Sequence, residues 1–252
     1  MGKFKSTTSK SSSVFLYGRH PVFAAIDNPK RQISALYCTS DNVAELRQIC
    51  LHAHRDPSLI KVIERKEIEK LLPFDAVHQG FVAAVKELET IALEDICSLA
   101  ESKKTCHLLI LDQVTDPQNI GAIIRSCVAF DTLALIMQDK NSPTESGTMA
   151  KASAGMIEHL PIARVTNLVR AIEALKKSGF WIIGMDGYAQ TTIDKTDKSG
   201  RIAIIMGSEG SGMRRLIQES CDSTVRLPIS EKVESLNVST AAAITLYELN
   251  KR

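Results

Sequence analysis

A glycine-rich loop with one acid, residues 207–212 (GSEGSG), is the segment whose residue types and spacing most clearly favour ligand chemistry. It follows Ile202 to Met206, an apolar run with the composition of a buried strand. Glycines at the end of a strand let backbone groups approach a ligand, because no side chain stands in the way. The carboxylate of Glu209 would repel a phosphate, and neither the P-loop nor the dinucleotide-binding pattern is matched. We therefore predict a cofactor loop for a ligand other than a nucleotide phosphate.

A second polar segment, residues 112–121 (DQVTDPQNIG), lies between an apolar strand and an amphipathic helix. The helix has apolar residues at the spacing of one buried face, at Ile120, Ile123, Ile124 and Cys127. Arg125 falls off this stripe, and Gly121, one turn earlier, is expected to leave space beside the guanidinium. This arrangement favours an anion or phosphodiester site. The alternative is a surface arginine on a helix capped by asparagine.

Polar side chains also cluster at the start of the Ala-rich C-terminal helix. Ser235, Asn237 and Ser239 lie just before or within its first turn, and Val238 begins its buried stripe. These side chains either cap the helix or orient a substrate at its N-terminus.

The elements that must position these residues fall into two blocks of alternating strand and helix patterns. Residues 14–86 predict a small α/β domain, and residues 87–105, charge-rich with one weak helical stretch, predict a linker. In residues 106–252 the alternation predicts a mostly parallel sheet with helices on both faces. Trp181 lies in an apolar run of this second block and is expected in its core.

Composition limits the classes of function. Hydrophobic residues make up 44% of the 252 and charged residues 24%, which is typical of a globular protein with a substantial core. The net charge of +2 does not by itself indicate nucleic-acid binding. The six cysteines contain no C-x-x-C pair and predict reduced thiols of a cytoplasmic protein. We expect no metal site and no membrane span.

Residues 1–13 are rich in Ser, Thr and Lys and contain no acid, which predicts a disordered basic tail. Other interpretations of this segment are N-myristoylation, a transit peptide, or electrostatic attraction to RNA.

Together the three polar segments resemble the three motifs of the SpoU (also called TrmH) family of RNA ribose 2′-O-methyltransferases. The motifs are matched by residues 116–125 (DPQNIGAIIR), by residues 205–212 (IMGSEGSG), and by residues 227–229 (LPI) with 235–239 (SLNVS). In the first block, residues 17–22 (YGRHPV) and 78–80 (HQG) resemble the substrate-binding domain of the bacterial large-subunit (23S) ribosomal RNA guanosine branch.

The resemblance implies a SPOUT-type domain with a trefoil-knotted parallel sheet over residues 106–252. A small L30-like α/β substrate-binding domain would precede it. It also implies S-adenosylmethionine as cofactor, RNA as substrate and a homodimer. The cofactor-binding residues would be Gly207, Ser208, Gly210, Leu227, Ile229 and Leu236, with Leu227 and Leu236 enclosing the adenine and Gly207 letting backbone approach the cofactor.

The implied catalytic residues are Arg125, Asn119, Glu209, Ser235 and Asn237. Arg125 is a poor general base because a guanidinium has a pKa above ~12. We expect it to clamp a neighbouring RNA phosphate that helps to accept the proton, with Glu209 holding Arg125 through an ion pair. Asn119, Ser235 and Asn237 would orient the ribose and the cofactor.

Two other functions stay open at this point. One is 2′-O-methylation of transfer RNA within the same family. The other is a non-catalytic RNA-binding or ribosome-assembly factor, although every expected catalytic residue is present. A small-molecule methyltransferase is less favoured, because the first block has no evident role in one.

Overall fold

The computed structural model describes residues 13–251, so the predicted tail at 1–13 lies almost entirely outside the described residues. The chain divides between Leu88 and Glu89 into two compact units.

The N-terminal unit is a four-stranded sheet with strand order β1-β4-β2-β3. Strands β1, β4 and β2 are antiparallel, whereas β3 runs parallel to β2. The elements are β1 (Val14–Tyr17), α1 (Arg19–Asp27), β2 (Ile33–Cys38), α2 (Val43–His52), β3 (Ile60–Val62), α3 (Arg65–Lys70) and β4 (Phe81–Val85). The predicted small α/β unit is therefore present.

The C-terminal unit is a parallel six-stranded sheet with strand order β10-β8-β9-β5-β6-β7. Its first elements are α4 (Leu93–Glu101), β5 (Cys106–Leu111), α5 (Pro117–Ala129), β6 (Ala134–Gln138), α6 (Gly147–Ala152) and β7 (Ile162–Val165). They are followed by α7 (Leu168–Lys177), β8 (Phe180–Met185), β9 (Arg201–Met206), α8 (Arg215–Glu219), β10 (Ser223–Val225) and α9 (Val238–Asn250). Consecutive residues Leu108 to Leu111 are fully buried, so both faces of the sheet are covered, as predicted.

The position of β9 in the sheet determines where the polar loops meet. It pairs in parallel with β5, and Met206 lies opposite Leu111. The Asp112 N–H donates to the Met206 carbonyl at 2.9 Å. Because parallel strands have their carboxyl ends at the same edge, the loop after β5 and the glycine loop after β9 begin side by side.

The predicted linker at residues 87–105 is wrong for most of its length. Helix α4 lies inside it, and its Ile96 and Ala100 are fully buried in the core of the C-terminal unit. The Arg201 side chain also donates hydrogen bonds to the carbonyls of Glu101 and Lys103. The segment was predicted as a linker because charged residues on the outer face of α4 dominate its composition, and its amphipathic helical pattern is short and weak.

Trp181 is not a core residue, because its side chain is 53% exposed. It lies near the start of β8, whereas β10 pairs with β8 only from Ile183 onward.

The cysteines are free thiols, as predicted. Burial raises the pKa of the Cys127 thiol to about 12 and that of the Cys221 thiol to about 11. Both thiols therefore stay protonated near neutral pH. Within residues 13–251 no helix is long and apolar enough to cross a membrane.

Gly121 packs helix α5 against α6. A Cβ added to Gly121 would lie 2.5 Å from the Met149 carbonyl oxygen and 2.6 Å from the Ala152 Cβ. The space that the sequence analysis assigned to the Arg125 guanidinium is filled by α6, so that expectation is wrong.

We expect Gly121→Ala to lower the free energy of unfolding by about 1–3 kcal/mol, because a backbone carbonyl blocks the new methyl group. Thermal unfolding of this variant measures the effect. Gly187→Ala is the matched control, since a Cβ at Gly187 would have no neighbour within 4 Å. Equal melting temperatures for the two variants would contradict this account of α5–α6 packing.

Candidate active site

Three side chains predicted from separate motifs meet at the carboxyl edge of the sheet: Asn119, Glu209 and Asn237. Glu209 Oε1 accepts hydrogen bonds from Asn119 Nδ2 at 3.2 Å and from Asn237 Nδ2 at 2.6 Å. It also accepts one from the Val238 N–H at 3.1 Å. Asn237 Nδ2 further donates to Asn119 Oδ1 at 2.9 Å. One carboxylate oxygen thus joins the three motifs.

Local sequence places Asn119 in the first turn of α5. Asp116 is the N-cap, with its Oδ1 accepting from the Gln118 N–H at 3.0 Å, and Pro117 is the first helical residue. Proline suits this position because its missing N–H would have no partner in the helix. Asn119 is therefore fixed close to the end of β5.

Asn237 is the N-cap of α9, one of the two roles that the sequence left open, and it also contacts the other members of the cluster. Its Oδ1 caps α9 by accepting from the N–H groups of Ser239 and Thr240 at 3.0 and 3.3 Å. Its Nδ2 faces the other way and donates to Glu209 and Asn119. These partners set the orientation of the Asn237 amide, because its oxygen can only accept hydrogen bonds and its nitrogen can only donate them.

The glycine loop closes on itself. Ser208 and Gly212 form an antiparallel bridge with N–H to carbonyl distances of 3.1 and 3.0 Å. A Cβ on Gly207 would lie 2.2 Å from the Gly212 carbonyl carbon. Glycine is therefore needed at position 207 because the backbone of Gly212 packs against it. The expected reason was only that Gly207 lets backbone approach the cofactor.

Gly210 and Gly212 serve the loop differently. Both have positive φ angles, 81° and 66°, which favour glycine. A Cβ at either position would meet nothing within 4 Å. The outer surface of the loop is therefore open to a ligand.

Arg125 does not contact the Asn119–Glu209–Asn237 cluster. Its side chain is exposed and makes no hydrogen bond or ion pair with any residue from 13 to 251. The expected Glu209–Arg125 ion pair is therefore wrong, and the partners of Glu209 Oε1 are instead the two asparagine amides and the Val238 N–H. The donors of the guanidinium are left available to an external anion.

The third motif supplies apolar surface. Leu227 is buried, Ile229 and Leu236 are half-buried, and Ser235 is exposed. The Ile229 N–H donates to the Leu227 carbonyl at 3.0 Å, which makes a tight turn directly after β10. Among the described residues no group of His, Cys, Asp or Glu could hold a metal ion.

The sequence analysis missed three residues that lie behind the glycine loop: Asp112, Gln138 and Arg214. The Arg214 guanidinium bonds to both of the other side chains. An acid directly after the apolar run Leu108 to Leu111 of β5 was the available signal, because a buried carboxylate requires a partner.

Two family profiles match this chain. The SpoU rRNA Methylase family matches residues 107–247, and the profile for RNA 2′-O ribose methyltransferase substrate binding matches residues 15–91. The chain belongs to the SpoU rRNA methylase family. The two matched ranges correspond to the two units of the structure.

Curated relatives are similar over nearly the whole chain. The 23S rRNA (guanosine-2′-O-)-methyltransferase RlmB of Coxiella burnetii is 38% identical, covering 94% of this chain and 95% of that protein. The RlmB of Escherichia coli is 34% identical, with 94% and 97% covered. An uncharacterised tRNA/rRNA methyltransferase of Synechocystis is 37% identical over 93% of this chain, but the match spans only 61% of that relative.

Solved structures of SpoU methyltransferases show the same fold. AviRb from Streptomyces viridochromogenes, in complex with AdoMet, aligns with a TM-score of 0.77 at 21% identity, covering 94% of this chain and 89% of that one. An AdoMet-bound rRNA methyltransferase from Sinorhizobium meliloti aligns at 0.78 and 22% identity, with 94% and 86% covered.

We expect Asn237→Ala to weaken S-adenosylmethionine binding by this SpoU protein as well as destabilise it. Loss of the cap costs about 1 kcal/mol, and loss of Nδ2 removes a donor from Glu209. Thermal unfolding and calorimetric titration with the cofactor measure the two effects separately.

Asn167→Ala is the matched control, because Asn167 caps α7 through its Oδ1 and makes no hydrogen bond to Glu209 in the described structure. The control should lose similar stability and keep its affinity. Equal cofactor affinity in the wild type and both variants would show that Asn237 is only a helix cap.

Proposed function

We propose that this chain transfers a methyl group from S-adenosylmethionine to a ribose 2′-hydroxyl of RNA, at a guanosine of large-subunit (23S) ribosomal RNA. The observation that carries the proposal is the Asn119–Glu209–Asn237 cluster at the carboxyl edge of a SpoU-family sheet. Relatives named 23S rRNA (guanosine-2′-O-)-methyltransferase, at 34–38% identity and with at least 95% of their length covered, support the substrate class.

The residues present fit S-adenosylmethionine. The open surface at Gly210 and Gly212 gives a ligand access to the loop backbone. Leu227, Ile229 and Leu236 supply apolar surface for an adenine, and Gly207 and Ser208 form the base of the loop. When bound, the cofactor supplies an electrophilic methyl group on its sulfonium.

In this proposal the Asn119–Glu209–Asn237 cluster orients the reacting groups and does not itself react. Glu209 accepts from both asparagine side chains, and this fixes the directions of their remaining donor and acceptor atoms. Asn119, Asn237 and the exposed Ser235 orient the ribose and the methionine end of the cofactor. Orientation is the main requirement, because methyl transfer needs the attacking oxygen in line with the bond that breaks.

Arg125 binds the RNA phosphate beside the reacting ribose. Its exposed guanidinium has all its donors available among the described residues, and two parallel hydrogen bonds match a phosphate. The clamped phosphate then lies where it can help to accept the 2′-hydroxyl proton. Glu209 has no part in this clamp, since its partners lie elsewhere.

The proposal includes three features implied by family membership: a trefoil knot in the C-terminal unit, a homodimer and a cytoplasmic location. Support for the knot comes from membership of the SpoU family. A ribosomal RNA substrate supports the cytoplasmic location.

Transfer RNA is the second candidate substrate. Relatives from Synechocystis and Bacillus subtilis, at 37% and 34% identity, carry names that include both tRNA and rRNA. A non-catalytic RNA-binding or assembly factor is the third candidate, and it requires that turnover be absent despite the assembled cluster.

Incubation with methyl-labelled S-adenosylmethionine and separate pools of unmodified 23S ribosomal RNA and transfer RNA tests the proposal. We expect label in 23S RNA, recovered after alkaline hydrolysis as a dinucleotide that contains 2′-O-methylguanosine. Label in transfer RNA alone would overturn the substrate and keep the reaction. No label in free RNA or in partly assembled ribosomal particles would favour the non-catalytic factor.

We expect Arg125→Lys to lower kcat by roughly 100-fold, because a lysine cannot hold the phosphate through two parallel bonds and the reacting groups lose their alignment. Cofactor affinity should not change. Single-turnover methylation and calorimetric titration measure the two quantities. Arg215→Lys, an exposed arginine that pairs only with Glu219 in the described structure, is the control. Near-normal turnover by Arg125→Lys would refute the bidentate clamp.

A further inference from the structure

An ion pair between a buried carboxylate and a partly exposed arginine, Asp112 and Arg214, lies directly behind the glycine loop. The Asp112 side chain is fully buried. Its Oδ1 accepts from Arg214 Nε at 2.8 Å and lies 2.7 Å from Arg214 Nη2, while Oδ2 accepts from the Arg214 backbone N–H at 2.9 Å. Both oxygens of the buried carboxylate are therefore engaged by a single residue.

Arg214 also reaches a third strand. Its Nη2 donates to Gln138 Oε1 at 3.1 Å. Asp112 follows β5, Gln138 ends β6, and Arg214 comes after the loop that leaves β9. The guanidinium therefore holds the carboxyl ends of two adjacent strands and the end of the glycine loop in one arrangement.

The neighbouring residue provides a second anchor. Met213 packs against the core of the C-terminal unit. Its Cε would lie 2.6 Å from a Cβ on Gly184, so β8 has a glycine where the methionine side chain packs. Met213 and Arg214 together fix the position at which the loop rejoins the sheet.

We propose that Arg214, held by Asp112 and Gln138, is a positioning residue that fixes the glycine loop in the conformation that binds the cofactor. The loop is a short bridged segment between Gly207 and Met213, with Glu209 near its tip. With one end continuous with β9 and the other held by Arg214, the loop keeps Glu209 within reach of Asn119 and Asn237. The consequence for S-adenosylmethionine rests on the proposed function.

The geometry favours arginine at this position. Nε and Nη2 bind the same carboxylate oxygen while the backbone N–H binds the other, and Nη2 also reaches Gln138. Lysine would keep the charge beside Asp112 but has no planar group that could bind both side chains in fixed directions. An ion pair with a buried carboxylate is by itself weak evidence for stability, because desolvation of the carboxylate offsets the attraction. Its effect here is on the conformation of the loop.

If a loop adopts its binding conformation only part of the time, the apparent dissociation constant equals the intrinsic one divided by the fraction of molecules in that conformation. Arg214→Lys should therefore raise the dissociation constant for S-adenosylmethionine about tenfold, as expected for the loss of one hydrogen bond to a charged group. Turnover at saturating cofactor should fall much less, because bound cofactor restores the loop. Gln138→Ala should act in the same direction with a smaller effect, and it leaves the Asp112–Arg214 ion pair intact.

Calorimetric titration of the full chain with S-adenosylmethionine gives the first readout. Hydrogen exchange at the Ser208 and Gly212 amides in cofactor-free protein gives the second, because these amides form the bridge of the loop. Exchange should be faster in Arg214→Lys than in the wild type. Arg215→Lys, the adjacent and exposed arginine, should match the wild type in both readouts.

Wild-type affinity and wild-type exchange in Arg214→Lys would overturn the proposal. A loss of affinity shared equally by Arg214→Lys and Arg215→Lys would also overturn it, since the effect would then reflect only surface charge. If the wild type itself does not bind S-adenosylmethionine, the proposed function fails. The exchange comparison then decides on positioning alone: faster exchange in Arg214→Lys supports it and equal exchange refutes it.

Discussion

The parallel pairing of β5 with β9 is the constraint on which the rest of the site depends. Residues Leu111 and Met206 end these strands in register, and the Asp112 N–H continues the ladder by one more hydrogen bond. Both polar loops therefore leave the sheet at the same edge and in the same direction. Asn119 and Glu209, which are far apart in the chain, come within hydrogen-bond distance for this reason.

A single carboxylate then organises the polar groups around it. Glu209 Oε1 accepts three hydrogen bonds, from the side chains of Asn119 and Asn237 and from the Val238 N–H. This arrangement separates two roles that the sequence analysis joined. Glu209 holds the asparagine amides in place, while the exposed Arg125 side chain makes no hydrogen bond or ion pair within residues 13–251.

The glycine loop combines internal closure with an open outer surface. Gly207 admits the backbone of Gly212, so the loop is tied together before any ligand binds. Gly210 and Gly212 face open space and leave the outer surface accessible. Behind the loop, the bonds between Asp112 and Arg214 connect the end of the loop to the sheet. The glycines give this loop much conformational freedom in the unfolded chain, yet these contacts hold it in one conformation in the folded protein.

The sequence by itself determined the two α/β units, the main strands of the parallel sheet, the reduced thiols and the family. Each of these follows from local patterns: apolar runs, helical spacing, and motifs whose order and spacing are specific. Its motifs also predicted three polar residues that the structure brings into contact, Asn119, Glu209 and Asn237.

Only the tertiary structure decided which groups these residues contact. The amide partners of Glu209, the packing of Gly121 against α6, the burial of α4 and the exposure of Trp181 all depend on strand order and on which element covers which. The spacing of apolar residues shows which side of a helix or strand is buried, but it does not show which other element packs against that side. The Asp112–Arg214–Gln138 cluster shows the same limit, because its three members lie on separate strand ends that meet only when the sheet has formed.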